Sequence, residues 1–263
     1  MKTTHGCTAG ISPATANFGR KYMHTFKNHS ARANNQHFHN LANSLWLTAV
    51  LLVVMAAPLA AHAQGNYVYV NNQTPSNSVT AYSVSSAGVL TNVPGSPFAT
   101  GGSGRSVVCY GMDRMVVTQV NSLLYVANTG NMTISAFHIN PATGALTSVA
   151  GSPFASGLSL DACQGMSIAA TPDAHFLMAS SNGQVQTFSI AANGTLALAA
   201  TTASCCTPNA GMKISPNGQF LAIANQSSVS TFTINTTTGA LTPVLGSPFP
   251  KTGTGLVTGL DFN

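Results

Sequence analysis

AFHINPATGALT, residues 136–147, decides how this chain folds. Phe137 and Ile139 stand two apart, the spacing that puts both side chains on one face of a strand. Asn140 to Gly144 then supply turn formers before the apolar restart at Ala145 and Leu146. The same pattern returns at AYSVSSAGVL (81–90), TFSIAANGTLA (187–197) and TFTINTTTGALT (231–242). Tyr82/Val84, Phe188/Ile190 and Phe232/Ile234 repeat the period-two face, while Gly88, Gly194 and Gly239 hold the place of Gly144, where a residue free to adopt positive φ is useful. These glycines recur at spacings of 56, 50 and 45 residues, in or near the range of about 40–50 for propeller blades.

Each copy is preceded by a short apolar run: YVYVNN (67–72), LLYVAN (123–128), FLMASS (176–181) and FLAIAN (220–225). Runs this short, bounded by turn formers, read as strands. A further candidate strand carries its own signature between copies, in Gly165-Met-Ser-Ile, Gly211-Met-Lys-Ile and Gly259-Leu-Asp-Phe, with a weaker version near Gly111-Met112. Four strands per unit make the blade of a β-propeller, and helical solenoids are excluded by the missing 3.6-residue period. The expectation is an all-β chain of four-stranded antiparallel blades, about four in number. Three are complete, and two are complementary partial ones: strands two to four at the start and a lone first strand near Asn263. The two ends either clasp into one closed ring or belong to a larger ring of which this chain is a piece.

The formal net charge is +5 with a pI near 9.1, but the charge is unevenly placed. Lys2, Arg20, Lys21, Lys27 and Arg32 lie before residue 45, where there is no acidic residue, whereas Arg105, Arg114, Lys213 and Lys251 face Asp113, Asp161, Asp173 and Asp261 in the remainder. Nucleic-acid binding needs clustered cations on the folded part, so no nucleic-acid partner is expected. Residues 1–63 read as an N-terminal leader. A basic stretch precedes the apolar run 45–57, then come Pro58 and the small-residue site Ala61-His62-Ala63, with cleavage after residue 63. The run is shorter than the roughly 20 apolar residues of a membrane helix. The reading is a secreted or periplasmic protein with no stable membrane span after cleavage and a propeller domain over 64–263. Met23 is an alternative start.

LLYVAN, AFHINPATGALT and the Gly-Ser-Pro-Phe segments at 95–98, 151–154 and 246–249 together resemble the secreted, Gly-Ser-Pro-Phe-rich branch of the lactonase seven-bladed β-propeller family, which includes the bacterial propeller type of 6-phosphogluconolactonase. The resemblance covers residues 66–263. It implies a seven-bladed ring, and hence a truncated product here in preference to a closed four-bladed one. It also implies opening of a sugar lactone or related ring ester. Four scattered Asp and no Glu do not suit the acidic calcium centre of other lactonase propellers. No metal site and no cofactor are expected.

Gly-Ser-Pro-Phe reads as a structural clamp in the linker between blades, with Phe98, Phe154 and Phe249 plugging the gaps and Ser96, Ser152 and Ser247 non-catalytic. Function in a propeller gathers where loops meet around the axis. Arg105 and Lys251, just after the clamps, and Lys213 on an inner strand are candidates to hold an anionic group, and Asp161 to orient a water, with Arg105 a second catalytic candidate. His138 between Phe137 and Ile139 reads as a packing or edge residue and not a general base, and His175 as exposed. Cys109, Cys163, Cys205 and Cys206 follow the export signal, so disulfides are permitted, Cys109–Cys163 first; buried free thiols are the alternative. Two functions stay open. The favoured one is an exported propeller binding a protein, glycan or small ligand through its Gly/Ser/Thr/Asn-rich loops. The other is a lactonase-like hydrolase.

Overall fold

The computed structural model describes residues 65–105, 113–160, 165–202, 209–254, 257 and 259–263, all within the unit Ala61–Asn263. The leader with its apolar run and cleavage position, Asp161, and Cys109, Cys163, Cys205 and Cys206 lie outside the described residues. Among the described residues there is no helix.

Four antiparallel sheets follow one another along the chain. The first holds β1 (Tyr67–Asn71), β2 (Ser78–Val84), β3 (Leu90–Asn92) and β4 (Phe98–Ala99). The second holds β5 (Met115–Thr118), β6 (Leu123–Asn128), β7 (Thr133–Ile139), β8 (Leu146–Ser148) and β9 (Phe154–Ala155). The third holds β10 (Ser167–Ala170), β11 (Phe176–Ser181), β12 (Gln184–Ile190) and β13 (Leu196–Thr202). The fourth holds β14 (Asn209–Ile214), β15 (Phe220–Asn225), β16 (Ser228–Ile234), β17 (Leu241–Pro243) and β18 (Phe249–Pro250). Neighbours in sequence pair in space, which is the blade pattern of a propeller.

The sheets pack face on face, and the core consists of the three layers between them. Leu124, Val126 and Phe137 of the second sheet meet Val79 of the first. Leu177, Ala179 and Phe188 of the third meet Leu123, Tyr125 and Ile134 of the second. Leu221, Ile223 and Phe232 of the fourth meet Met178 and Val185 of the third. Each of the larger side chains contributes about 1.5–3 kcal/mol by leaving water, and period two assigns alternate residues of one strand to opposite layers.

Polar side chains fasten the same units. Asn128 Nδ2 donates to Thr133 Oγ1 at 3.0 Å and Ser135 Oγ at 2.7 Å, bracing the β6–β7 turn. Asn72 and Asn225 make the matching pairs of bonds in the first and fourth sheets. Between sheets, the Tyr69 hydroxyl donates to Gly144 O and the Tyr125 hydroxyl to Gly194 O, both at 3.0 Å. The Gly-x-Leu turn of one blade is therefore the acceptor for the blade before it. Gly194 at φ 83° suits this place, where a Cβ would approach Leu123 within 2.8 Å.

Three expectations change. Gly-Ser-Pro-Phe does not lie in the linker between blades: it interrupts the outer strand of its own blade, separating β3 from β4, β8 from β9 and β17 from β18. Proline has no N–H to give to a ladder, and at the gap it is the serine hydroxyl that meets the neighbouring strand, as an acceptor. Ser96 Oγ accepts from Ala81 N, Ser152 Oγ from Ala136 N and Ser247 Oγ from Thr231 N, at 2.9–3.0 Å. The Ser-Pro bonds are cis. The third sheet lacks the motif, and its outer strand β13 runs unbroken for seven residues. Phe98 and Phe154 do pack at the layer with the next sheet, while Phe249 is 42% exposed.

The second change concerns the inner strands. Register puts Ile168 opposite Ala179 and Met212 opposite Ile223, so Ile168 corresponds to Met212 and not to Ile214. The glycine signatures of the two strands are offset by the longer run between Gly165 and Pro172. The third change is at the end of the chain, where residues 259–263 belong to no strand, contrary to the lone first strand expected there.

Candidate functional site: the axial ends of the inner strands

Among the described residues, the innermost strands β5, β10 and β14 each have one edge without a paired strand. Backbone groups on such an edge need partners, and Asp113 provides several. Its main-chain oxygen accepts from Ile168 N of the third sheet at 2.6 Å. Its Oδ2 accepts from Met212 N of the fourth at 3.0 Å, and its Oδ1 lies 2.9 Å from Lys213 Nζ. One residue thus joins the inner strands of three consecutive blades. Sequence reasoning gave Asp113 no role. The signal was present, because Asp113-Arg114 is the one adjacent acid–base pair in a sequence with 4 acidic and 9 basic residues.

Arg114 enters β5 half-buried, and burial lowers the pKa of its guanidinium. Its carbonyl accepts from Ala127 N at 2.8 Å. Gly165 makes room beside it: a Cβ there would stand 2.8 Å from Thr129 Cγ2 and 3.5 Å from Arg114 Nε.

Of the residues singled out from sequence, Lys213 is at this cluster, with its side chain 40% exposed. Arg105 is part-exposed at the end of a loop pinned by Gly104 N to Thr74 O and Gly130 N to Ser103 O, both 2.8 Å. Lys251 turns back within its own loop, where Nζ donates to Gly253 O at 3.0 Å. His138 is exposed on β7, and His175 is exposed and 3.1 Å from Asp173. Among the described residues, no three His, Cys, Asp or Glu side chains gather as metal ligands would.

Two open depressions flank the first two blades. One, of about 380 Å³, is lined by Ser76, Asn77, Gly101, Gly102, Ser103 and Asn131, on the side of the turns between second and third strands. The other, of about 280 Å³, lies at the opposite end between Tyr67, Tyr69, Val117, Thr118 and Ser122. Its Tyr69 hydroxyl is pushed up to about 12 by burial and then by neighbouring Tyr67, consistent with a phenol committed as a donor to Gly144.

The model of the family described as lactonase, seven-bladed β-propeller, matches residues 53–157 and 110–254. The chain belongs to this lactonase propeller family. Among curated proteins none matches the chain. A crystal structure of a protein from Lactobacillus plantarum aligns with a TM-score of 0.53 at 20% identity, over 69% of this chain and 52% of the other. A periplasmic gluconolactonase from Pseudomonas aeruginosa aligns with a TM-score of 0.51 at 19% identity, over 71% and 54%. At such identities the likeness is one of fold, and this lactonase-family chain spans about half the length of the solved structures it matches. Among the described residues, no helix is long and apolar enough to cross a membrane.

Proposed function

We propose that this lactonase-family chain is an exported propeller that binds a small polyhydroxylated acid, or its ring ester, at the axial end marked by Asp113, Arg114 and Lys213. The carrying observation is the state of Asp113. Both carboxylate oxygens are already engaged, by Met212 N and by Lys213 Nζ. A carboxylate so engaged orients the groups around it. Lys213 is held in place with a substantial part of its side chain exposed, which suits capture of an anionic group. Arg105 supplies a second cation on the loop side, and the hydroxyl- and amide-lined depression beside Asn77 and Ser103 suits sugar hydroxyls. Ala61-His62-Ala63 after the apolar run supports export.

The second reading is hydrolysis of a lactone, favoured by the family and by the name of the Pseudomonas aeruginosa structure. One titration addresses both. Gluconate and glucono-δ-lactone are titrated calorimetrically into the purified chain, and ring opening is followed in a pH-stat. Binding of gluconate that weakens about tenfold in Lys213→Ala, the worth of one charge-assisted contact, supports the first reading. Lactone opening above the uncatalysed rate supports the second. Absence of binding by either compound up to about 10 mM, weaker than any specific site worth the name, defeats the axial assignment.

A further inference from the structure

Gln73, in the turn between β1 and β2, has φ 52°. The left-handed region is unfavourable for a long side chain, and glycine or asparagine takes it at lower cost. What holds Gln73 there is a set of bonds across the joint between the first two blades. Its Nε2 donates to Ala127 O at 2.9 Å, and its Oε1 accepts from Thr129 Oγ1 at 2.6 Å. Asn71 braces it from behind, with Oδ1 accepting from Gln73 N at 3.4 Å and Nδ2 donating to the same Ala127 O at 3.3 Å. Both ends of one amide of the first blade are thus taken up at the end of β6 in the second.

Backbone strain that persists because its surroundings over-determine it is a pointer to function. Two arginines flank this strained residue. On one side Gly104 approaches so closely that a Cβ there would overlap the main chain of Gln73, and Gly104 N donates to Thr74 O at 2.8 Å. Arg105 is the next residue. On the other side Ala127, whose carbonyl takes the Gln73 amide, gives its own N–H to Arg114 O at 2.8 Å. The segment before Arg105 is gripped by both blades: Asn77 N donates to Gly102 O at 3.0 Å, and Gly130 N to Ser103 O at 2.8 Å. Asn131 Oδ1 accepts from Ser103 N at 3.2 Å. The turn at Gln73 therefore sets where this segment ends relative to Arg114.

We propose that Gln73 is a positioning residue for Arg105. By spanning the joint it fixes the loop-side cation relative to Arg114, so that the carboxylate of the bound acid is met in one place. Gln73 itself touches no ligand, since both ends of its amide are already used. The proposal rests on the reading that Arg105 helps to capture an anionic group. An extended backbone at residue 73 would carry the Thr74 carbonyl away from Gly104 N, and Arg105 with it.

The test has one readout that needs no ligand and one that does. Gln73→Asn suits the left-handed backbone but is one methylene too short for Ala127 O, and the Gly104 and Gly130 amides are expected to exchange hydrogen at least about tenfold faster in it. The Ala136 amide, bonded to Ser152 Oγ elsewhere in the second blade, should keep its rate. Thr129→Val removes the hydroxyl without touching residue 73 and should speed the same two amides, whereas Thr129→Ser, which keeps it, should restore them. That pair decides the matter if Gln73→Asn fails to fold. In calorimetry with gluconate, Gln73→Asn is expected to weaken binding about tenfold, to add less than about twofold on top of Arg105→Ala, and to add its full effect on top of Lys213→Ala. A residue of merely structural importance would add equally to both. The proposal is overturned if Gly104 and Gly130 keep their wild-type exchange in Gln73→Asn and in Thr129→Val, if Ala136 speeds up as much as they do, or if the losses from Gln73→Asn and Arg105→Ala add in full. If the wild type binds no gluconate while Gly104 and Gly130 exchange faster as expected, the ligand assignment falls and the placement of Arg105 by Gln73 stands.

Discussion

Replacing Asp113 separates its two jobs, and the structure sets the size of each. In Asp113→Asn the side-chain oxygen can still accept from Met212 N, now 3.0 Å from Oδ2, while the pair with Lys213 Nζ is lost. Lys213 is 40% exposed in that pair, so water replaces the carboxylate and the loss is about 0.2–1 kcal/mol. Asp113→Ala removes the acceptor altogether. Met212 is fully buried, and its N–H on the open edge of β14 then has no side-chain partner, which adds about 1–3 kcal/mol. The expected order is a small loss for Asn and about 1.2–4 kcal/mol for Ala by adding the two terms. Urea unfolding followed by circular dichroism resolves this, because with a slope of about 1–3 kcal/mol per molar the Ala variant shifts its midpoint by about 0.4 M or more. If Asn costs as much as Ala, the ion pair and not the backbone contact holds the inner strands. If Ala costs less than about 0.5 kcal/mol, the cross-blade role of Asp113 is wrong.

The tyrosine latches differ in burial and should differ in cost. Tyr125 is fully buried, so Tyr125→Phe should lose about 1–3 kcal/mol, against about 0.5–1.5 for Tyr69→Phe beside its open depression; equal losses in urea unfolding would argue against the latch. Because the Tyr69 phenol is raised from 10.0 to about 12 in the folded chain, its contribution is present below pH 10 and is lost as pH climbs towards 12. A stability that is flat over that interval in the wild type contradicts the shift. Ser152→Ala should cost about 1–3 kcal/mol, since Ala136 is fully buried and its N–H has Ser152 Oγ as acceptor. Any lactone turnover should survive unchanged in that variant, and its loss would make the serine chemical after all.

The strands were legible because their information is local. Phe137 and Ile139 two apart, followed by Gly144, specify a strand and a turn without reference to anything distant, and β7 occupies the residues so read. The Gly-Ser-Pro-Phe segment was misplaced for the opposite reason. Whether it joins blades or interrupts a strand depends on where Ser152 Oγ finds a donor, and Ala136 N is 16 residues away in sequence. The inner-strand register failed likewise: the residues after each strand align Thr171 with Ser215, and the count back from there runs two short of the glycine signature. The place of Lys213 on an inner strand was legible and β14 contains it, whereas the cross-blade contact of Asp113 was not, because its partner Met212 N is 99 residues distant.

Asp113 also limits what chemistry the axial end supports. A blade's inner strand offers its free N–H groups to the axis, and in a fold with little charge these groups must be met by whatever polar side chains are near. Here the carboxylate that could have served a reaction is the one that meets them. Stability and catalysis therefore compete for a single side chain, because the chain contains no Glu and its other acidic residues are Asp161, Asp173 and Asp261. Asp173 is tied to its own turn through Thr171 and His175, and Asp261 to the adjacent Phe262 N. Ligand capture by Lys213 and Arg105 asks for no general base, whereas hydrolysis needs one, and among carboxylates Asp161 is the sequence-based candidate for that role.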